Sequence, residues 1–277
     1  MDKIAAPVDD LLAMMASGRH VAEKIDRDVL EYLGVFVVKG AFRAETIDKY
    51  AQRYFEDLRE AKLRRTPFHL TEIKLPEEHP LRQITREKEL IDVSEGFFGG
   101  NVGASYIRVV KKDGDDTKPV FLHQDTGYQV GGFERYSLFI PLTACDYHNG
   151  GLVLFPGTHH FGYLGDVGEI INILPDDYPR LKTSVAPGDI LIMHSAIWHQ
   201  SPPNSTLRDR VYLEINIQHL NEPTASIPVC GTRDTKWRMN MTPDQIFRNS
   251  RAQRIRQMYQ EIETLRADAN PAIAQSP

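Results

Sequence analysis

The chain has 277 residues, 41% of them hydrophobic and 26% charged, a balance that suits a globular protein with a sizeable core. A formal net charge of −5 supplies no basic field, which argues against nucleic acid or an anionic membrane as partner. Two cysteines, Cys145 and Cys230, make neither a disulfide framework nor a Cys-x-x-Cys pair, so both are expected as reduced thiols in a cytoplasmic protein.

The opening stretch MDKIAAPVDDLLAMMASGRH carries acidic residues where a secretion signal needs positive charge. No segment reaches the roughly 20 apolar residues of a bilayer span. Leu11, Leu12, Met14 and Met15 read instead as a short amphipathic helix. Residues 22–33 read as a helix ending at Gly34, and GVFVVKG (34–40) as a strand between glycines. From Ala44 to about Arg65, Ile47, Tyr50, Ala51, Tyr54, Phe55 and Leu58 recur at helical spacing on an otherwise charged surface helix.

From about residue 100 the texture changes to short β-branched and aromatic runs between turn residues. The candidate strands are 105–112, 119–125, 136–143, 151–157, 189–200 and 210–220. Their spacing suggests a sandwich or barrel rather than βαβ units. Residues 221–241 read as a long irregular segment that can cover a barrel mouth. Beyond it, TPDQIFRNSRAQRIRQMYQEIETLRA opens with a Thr cap and reads as a C-terminal helix, about 242–268, whose arginines form a solvated face. The fold class is thus mainly β with flanking helices, in one domain.

Of the ten histidines, only His123 is followed two positions later by an acid, Asp125. On a strand, residues two apart face the same side, so His123 and Asp125 can bind one metal together. DILIMHSAIWHQSPPN offers His194 and His199 as a third ligand. His199, expected at the far end of one strand beside a turn, is favoured because open coordination positions there stay accessible. On that unbroken strand His194 has odd spacing and points to the opposite face. Two histidines and one carboxylate on one face of iron leave the other face for a bidentate co-substrate and O₂. Arg210 follows His199 by eleven residues and is expected to return on a hairpin to the depth of the metal. Its planar, permanent charge suits the distal carboxylate of 2-oxoglutarate.

In their order and spacing, HQDTGY (123–128), NGGLVLFPGTHHFG (149–162) and PGDILIMHSAIWHQSPPNSTLRDRVYLEINIQ (187–218) resemble the phytanoyl-CoA dioxygenase family of Fe(II)- and 2-oxoglutarate-dependent oxygenases. GVFVVKGAFRAETIDKYAQRYF (34–55) resembles the family's opening. The resemblance implies a double-stranded β-helix (jelly-roll, cupin-like) core over about 100–220 in a single domain spanning 1–277, with N-terminal helices in 1–65. It implies His123, Asp125 and His199 as catalytic iron ligands, Arg210 as the 2-oxoglutarate anchor and Ser201 as a hydroxyl on the same carboxylate. Phe139 falls near an aromatic position of the co-substrate pocket, and Tyr106 is expected to reach the co-substrate. Tyr128 and Gln129, directly after the HQD strand, and Trp237, in the segment over the mouth, are candidate substrate contacts.

The implied reaction hydroxylates or otherwise oxidises a small metabolite or natural-product intermediate, with succinate and CO₂ as co-products. The intact Asp125 argues against halogenation, which needs that ligand position vacated. Two alternatives stand beside this reading: a cupin-type metal enzyme with no use for 2-oxoglutarate or Arg210, and a non-catalytic family member that only binds. Trp198 is expected to point away from the metal, and His159 and His160 to be structural or solvent-facing.

Overall fold

The computed structural model describes residues 8–60, 62–63, 72–128, 134–162, 174, 177–222 and 224–234. The helices are α1 (Val8–Ala16), α2 (Arg27–Leu33), α3 (Ala44–Arg59) and α4 (Lys88–Phe98). The strands are β1 (Val21–Ala22), β2 (Val35–Val38), β3 (Glu72–Lys74), β4 (Val102–Lys112), β5 (Val120–His123), β6 (Arg135–Pro141), β7 (Val153–Phe155), β8 (Leu181–Lys182), β9 (Ile190–His194), β10 (Trp198–Ser201), β11 (Arg210–His219) and β12 (Ile227–Cys230).

Strands β4 to β11 divide between two sheets, changing sheet at every step except β7 to β8. The larger, of eight strands, runs β1-β2-β9-β6-β11-β4-β12, with β3 also on β4; the smaller, of four, runs β5-β10-β7-β8. All pairs among the core strands β4 to β11 are antiparallel. Four core strands in each sheet make the expected double-stranded β-helix. The N-terminal elements serve it locally. Asp26 caps α2 by accepting from the Val29 N–H, and Gly34 closes it in the left-handed conformation at φ 73°. That glycine also turns the chain directly into β2, which extends the large sheet beside β9.

Several elements differ from the sequence expectation. The first helix of the 22–33 run begins only at Arg27, with Val21–Ala22 as a strand. Helix α3 ends at Arg59 rather than near Arg65. The 189–200 run is two strands, β9 and β10, parted by Ser195, Ala196 and Ile197, because the Ala196 N–H bonds back to His194 Nδ1 at 3.0 Å and the Ile197 N–H to the His194 carbonyl at 3.0 Å. His199 therefore sits near the start of its own strand. Nor do β10 and β11 form a hairpin: β10 pairs with β5 and β7, and the chain crosses sheets before β11 pairs with β4 and β6. Within the supposed irregular 221–241 segment, β12 pairs with β4. Helix α4, absent from the sequence reading, packs against β4 and β12. The C-terminal helix expected from 242 lies outside the described residues.

The interior of the barrel is polar along one line. In β11, Arg210, Tyr212, Glu214, Asn216 and Gln218 alternate with Val211, Leu213, Ile215 and Ile217, and all nine are buried. Alternation ordinarily places polar groups in water. Here the polar row faces the space between the sheets, since Arg210 and Glu214 share a cavity with His123 and His199 of the small sheet.

Candidate metal centre

His123 ends β5 and His199 stands directly opposite it on β10. Their ring centroids are 4.1 Å apart. Asp125 opens a short 3-10 turn, Asp125–Tyr128, rather than continuing the strand. The reading of His123 and Asp125 as i, i+2 on one strand is therefore corrected, yet the turn carries the carboxylate to the same side. Asp125 Oδ1 lies 3.7 Å from Nε2 of both histidines. The three ligand atoms all fall within 4.8 Å of one another, a spacing that one ion can bridge.

The orientation of each ring is set by backbone. His123 Nδ1 sits 2.7 Å from the Phe121 carbonyl, and His199 Nδ1 3.1 Å from the Ile197 carbonyl. A carbonyl only accepts, so each Nδ1 carries the proton and each Nε2 presents a lone pair. Burial, and then the neighbouring His199, push the His123 pKa down to about 4, against the pull of Asp125. The ring is thus neutral near neutral pH, as a metal ligand must be. Two imidazole nitrogens and one carboxylate oxygen form the facial donor set that suits Fe(II) with open positions.

A buried polar cluster lies behind the carboxylate. The Ser137 hydroxyl lies 3.5 Å from Asp125 Oδ2 and 3.2 Å from Glu214 Oε1, and Asn216 Nδ2 donates to the Ser137 oxygen at 3.3 Å. Glu214 is wholly buried and takes two bonds from Arg108, at 2.7 and 3.1 Å, and one from the Tyr106 hydroxyl at 3.0 Å. Tyr106 thus binds Glu214. Arg108, Glu214, Ser137 and Asn216 were not singled out from sequence. The signal available was the polar register of RVYLEINIQ, five alternating polar positions beginning at Arg210.

A cavity of about 80 Å³ joins the triad to the co-substrate candidates: its walls include His123, Asp125, His199, Phe139, Ser201, Arg210, Arg108 and Glu214. Arg210 is 1% exposed, and its Nε has no hydrogen-bond partner among the described residues. The guanidinium lies 5.0 Å from the Tyr212 ring. The Ser201 hydroxyl donates to the Gly150 carbonyl at 2.8 Å. A larger cavity of about 590 Å³ takes in Tyr136, His159, His160 and His194 but none of the triad. That places His194 elsewhere, against the Tyr136 and His159 rings at 5.0 Å each. Trp198 is fully buried and outside the triad's cavity. Tyr128 ends the 3-10 turn; Gln129 and Trp237 lie outside the described residues. Both cysteines are free thiols.

The fold and donor set fit one class, the jelly-roll enzymes of the non-haem iron type. The chain belongs to the phytanoyl-CoA dioxygenase (PhyH) family, which matches residues 30–212. No curated protein matches it in sequence. Solved structures share its fold. One is the non-haem monooxygenase ThoJ in its apo form: 20% identity, TM-score 0.66, covering 85% of this chain and 99% of that one. Another is EctD from S. alaskensis with 2-oxoglutarate and 5-hydroxyectoine: 17% identity, TM-score 0.62, covering 79% and 84%. A third is SnoK, an α-ketoglutarate-dependent carbocyclase from nogalamycin biosynthesis: 16% identity, TM-score 0.61, covering 72% and 86%. Among the described residues no helix is long and apolar enough to cross a membrane.

Proposed function

We propose that the protein oxidises an unactivated C–H bond of a small polar metabolite or natural-product intermediate, most simply by hydroxylation, releasing succinate and CO₂. In this reading His123, Asp125 and His199 hold Fe(II), and Arg210 binds the distal carboxylate of 2-oxoglutarate. The bound iron supplies the oxidising power, drawing on O₂ and the co-substrate. The chain's own residues supply orientation. The Phe121 and Ile197 carbonyls aim both Nε2 atoms inward, and Ser137 engages Asp125 Oδ2, so that Oδ1 faces the two imidazoles.

The observation that carries the reading is Arg210. A buried guanidinium ordinarily has an acidic partner, because an unpaired buried charge costs several kcal/mol. Among the described residues no carboxylate lies within ion-pair distance of it, and it faces the same cavity as the triad. A cupin-type enzyme without 2-oxoglutarate would have no use for such a group. The polar wall that Arg108 and Glu214 give the cavity favours a substrate that forms hydrogen bonds. A coenzyme A thioester fits less well. Lys112 is buried, and Lys111 is engaged by Asp113 and, at 2.8 Å, by Asp209, which leaves neither lysine for a pyrophosphate.

The test is succinate release from 2-oxoglutarate, with Fe(II) and O₂, across a panel of amino-acid derivatives, osmolytes and natural-product precursors. At least one polar compound should stimulate release. Arg210→Ala should raise the KM for 2-oxoglutarate about a hundredfold, since a lost charge-assisted pair costs about 2–5 kcal/mol. Unchanged KM in that variant would favour the cupin-type reading.

A further inference from the structure

Lys112 is an unusual lysine. It ends β4, is fully buried, and stands directly opposite Arg210 in the β4–β11 register. Its ammonium donates to the Ser201 hydroxyl at 2.9 Å, to the Ser201 carbonyl at 3.5 Å and to the Pro202 carbonyl. Three donors thus meet three acceptors, and all three are neutral. No carboxylate among the described residues lies within ion-pair distance of it. Two cations therefore sit side by side on adjacent strands with no carboxylate ion-paired to either, and Asp116 attracts both only from beyond that distance. Burial, followed by the Arg210 charge, pushes the Lys112 pKa down to about 8, which marks the missing counter-charge.

The chain has made room for this lysine. Gly150 has φ 83°, and a Cβ there would lie 2.6 Å from Lys112 Cδ and 3.1 Å from the Pro202 carbonyl. The Asn149-Gly150-Gly151 turn thus has a packing reason beyond chain reversal: it lies against the lysine stem. The same turn supplies the carbonyl that accepts from Ser201. Because Lys112 donates to the Ser201 oxygen, that oxygen is fixed as an acceptor on the lysine side. Its one hydrogen is left to choose among the Gly150 carbonyl at 2.8 Å, the Pro202 carbonyl at 3.4 Å and a ligand in the cavity. A donor on its oxygen also polarises the O–H and makes it a stronger donor in turn.

We propose that Lys112 is a positioning residue of the co-substrate pocket, a cation behind its wall that holds the Ser201 hydroxyl toward the carboxylate bound at Arg210. It acts through Ser201 and favours 2-oxo acids that carry a distal carboxylate. The proposal rests on the reading of Arg210 as the co-substrate anchor.

The test is calorimetric binding of 2-oxoglutarate to the full-length, Fe(II)-loaded protein without O₂, with the Fe(II) affinity as internal control. Lys112→Met should weaken 2-oxoglutarate binding at least tenfold and leave Fe(II) affinity unchanged. Ser201→Ala should have a comparable effect, and the double variant should be no weaker than the weaker single, because both remove one unit. Lys112→Gln retains an N–H donor and should fall between wild type and Lys112→Met; it also carries the test should the Met variant fold poorly. The discriminating ligand is 2-oxobutyrate, which chelates identically but has no distal carboxylate: its affinity should not change in either Lys112 variant. Wild-type affinity for 2-oxoglutarate in both variants would overturn the proposal, as would equal losses for the two acids or additive losses in the double variant. A wild-type protein that binds no 2-oxoglutarate would remove the Arg210 reading and this proposal with it.

Discussion

At the scale of single residues, the site depends on buried charges whose partners are specific. Glu214 is wholly enclosed, and Arg108 pairs with it through two bonds while its own side chain keeps 27% exposure. Removing one member of a buried pair costs about 3–5 kcal/mol, and the solvent left to Arg108 places Glu214→Leu at the lower end. Urea unfolding should register that loss, together with weaker Fe(II) binding, because Ser137 loses one of its partners. A midpoint within error of wild type would show that Glu214 does not hold the site. His123, Asp125, His199 and Arg210, which the structure brings to one cavity, stood out in sequence as chemically telling residues at a telling spacing, whereas Ser201 entered only through the family resemblance. Glu214, Arg108 and Lys112 did not stand out, since a strand of alternating polarity is ordinarily read with its charges in water. Only the closed barrel turns that row inward.

At the scale of elements, short strands and turns do the positioning, and their existence was more legible than their joints. The break between β9 and β10 separates the two histidines that one long strand would have set on opposite faces. The distinction between His194 and His199 survives for a different reason: one ends a strand of the large sheet, the other begins a strand of the small one. The same joint has a consequence for acid stability. His194 and His159 stack at 5.0 Å, and burial holds their pKa values at about 3 and about 4. Both values lie below the unfolded value of about 6.5, so as pH falls the unfolded chain takes up these protons first. The stability they contribute is complete above about pH 6.5 and is lost as pH drops toward 4, on the order of 3 kcal/mol for each as an upper bound. Urea midpoints of the metal-free protein should therefore fall steadily between pH 7 and pH 5. A flat profile over that range would contradict neutral burial of the pair.

At the scale of the whole molecule, mainly-β architecture was readable from the run of short strands after residue 100. The sorting of strands into two sheets was not, because pairing depends on chain crossings that local patterns do not encode. Arg210 shows the difference: its depth came out as expected, yet it arrives through a crossover and not a hairpin. The two sheets bring the candidate iron ligands and the proposed co-substrate anchor into one cavity, so ligands that bind there should stabilise the entire fold. At a hundredfold excess over Kd the linkage is about 2.7 kcal/mol, roughly 5–10 °C in Tm for a domain of this size. Fe(II) with 2-oxoglutarate should raise Tm by that order, and chelation of the metal should reverse it. The most direct measurement of the central claim is an anaerobic titration of the metal-free protein with Fe(II) and then 2-oxoglutarate, followed by visible absorption. A metal-to-ligand charge-transfer band should appear, saturate at one co-substrate per chain and be lost in His199→Ala. No band at saturating concentrations of both would contradict that claim.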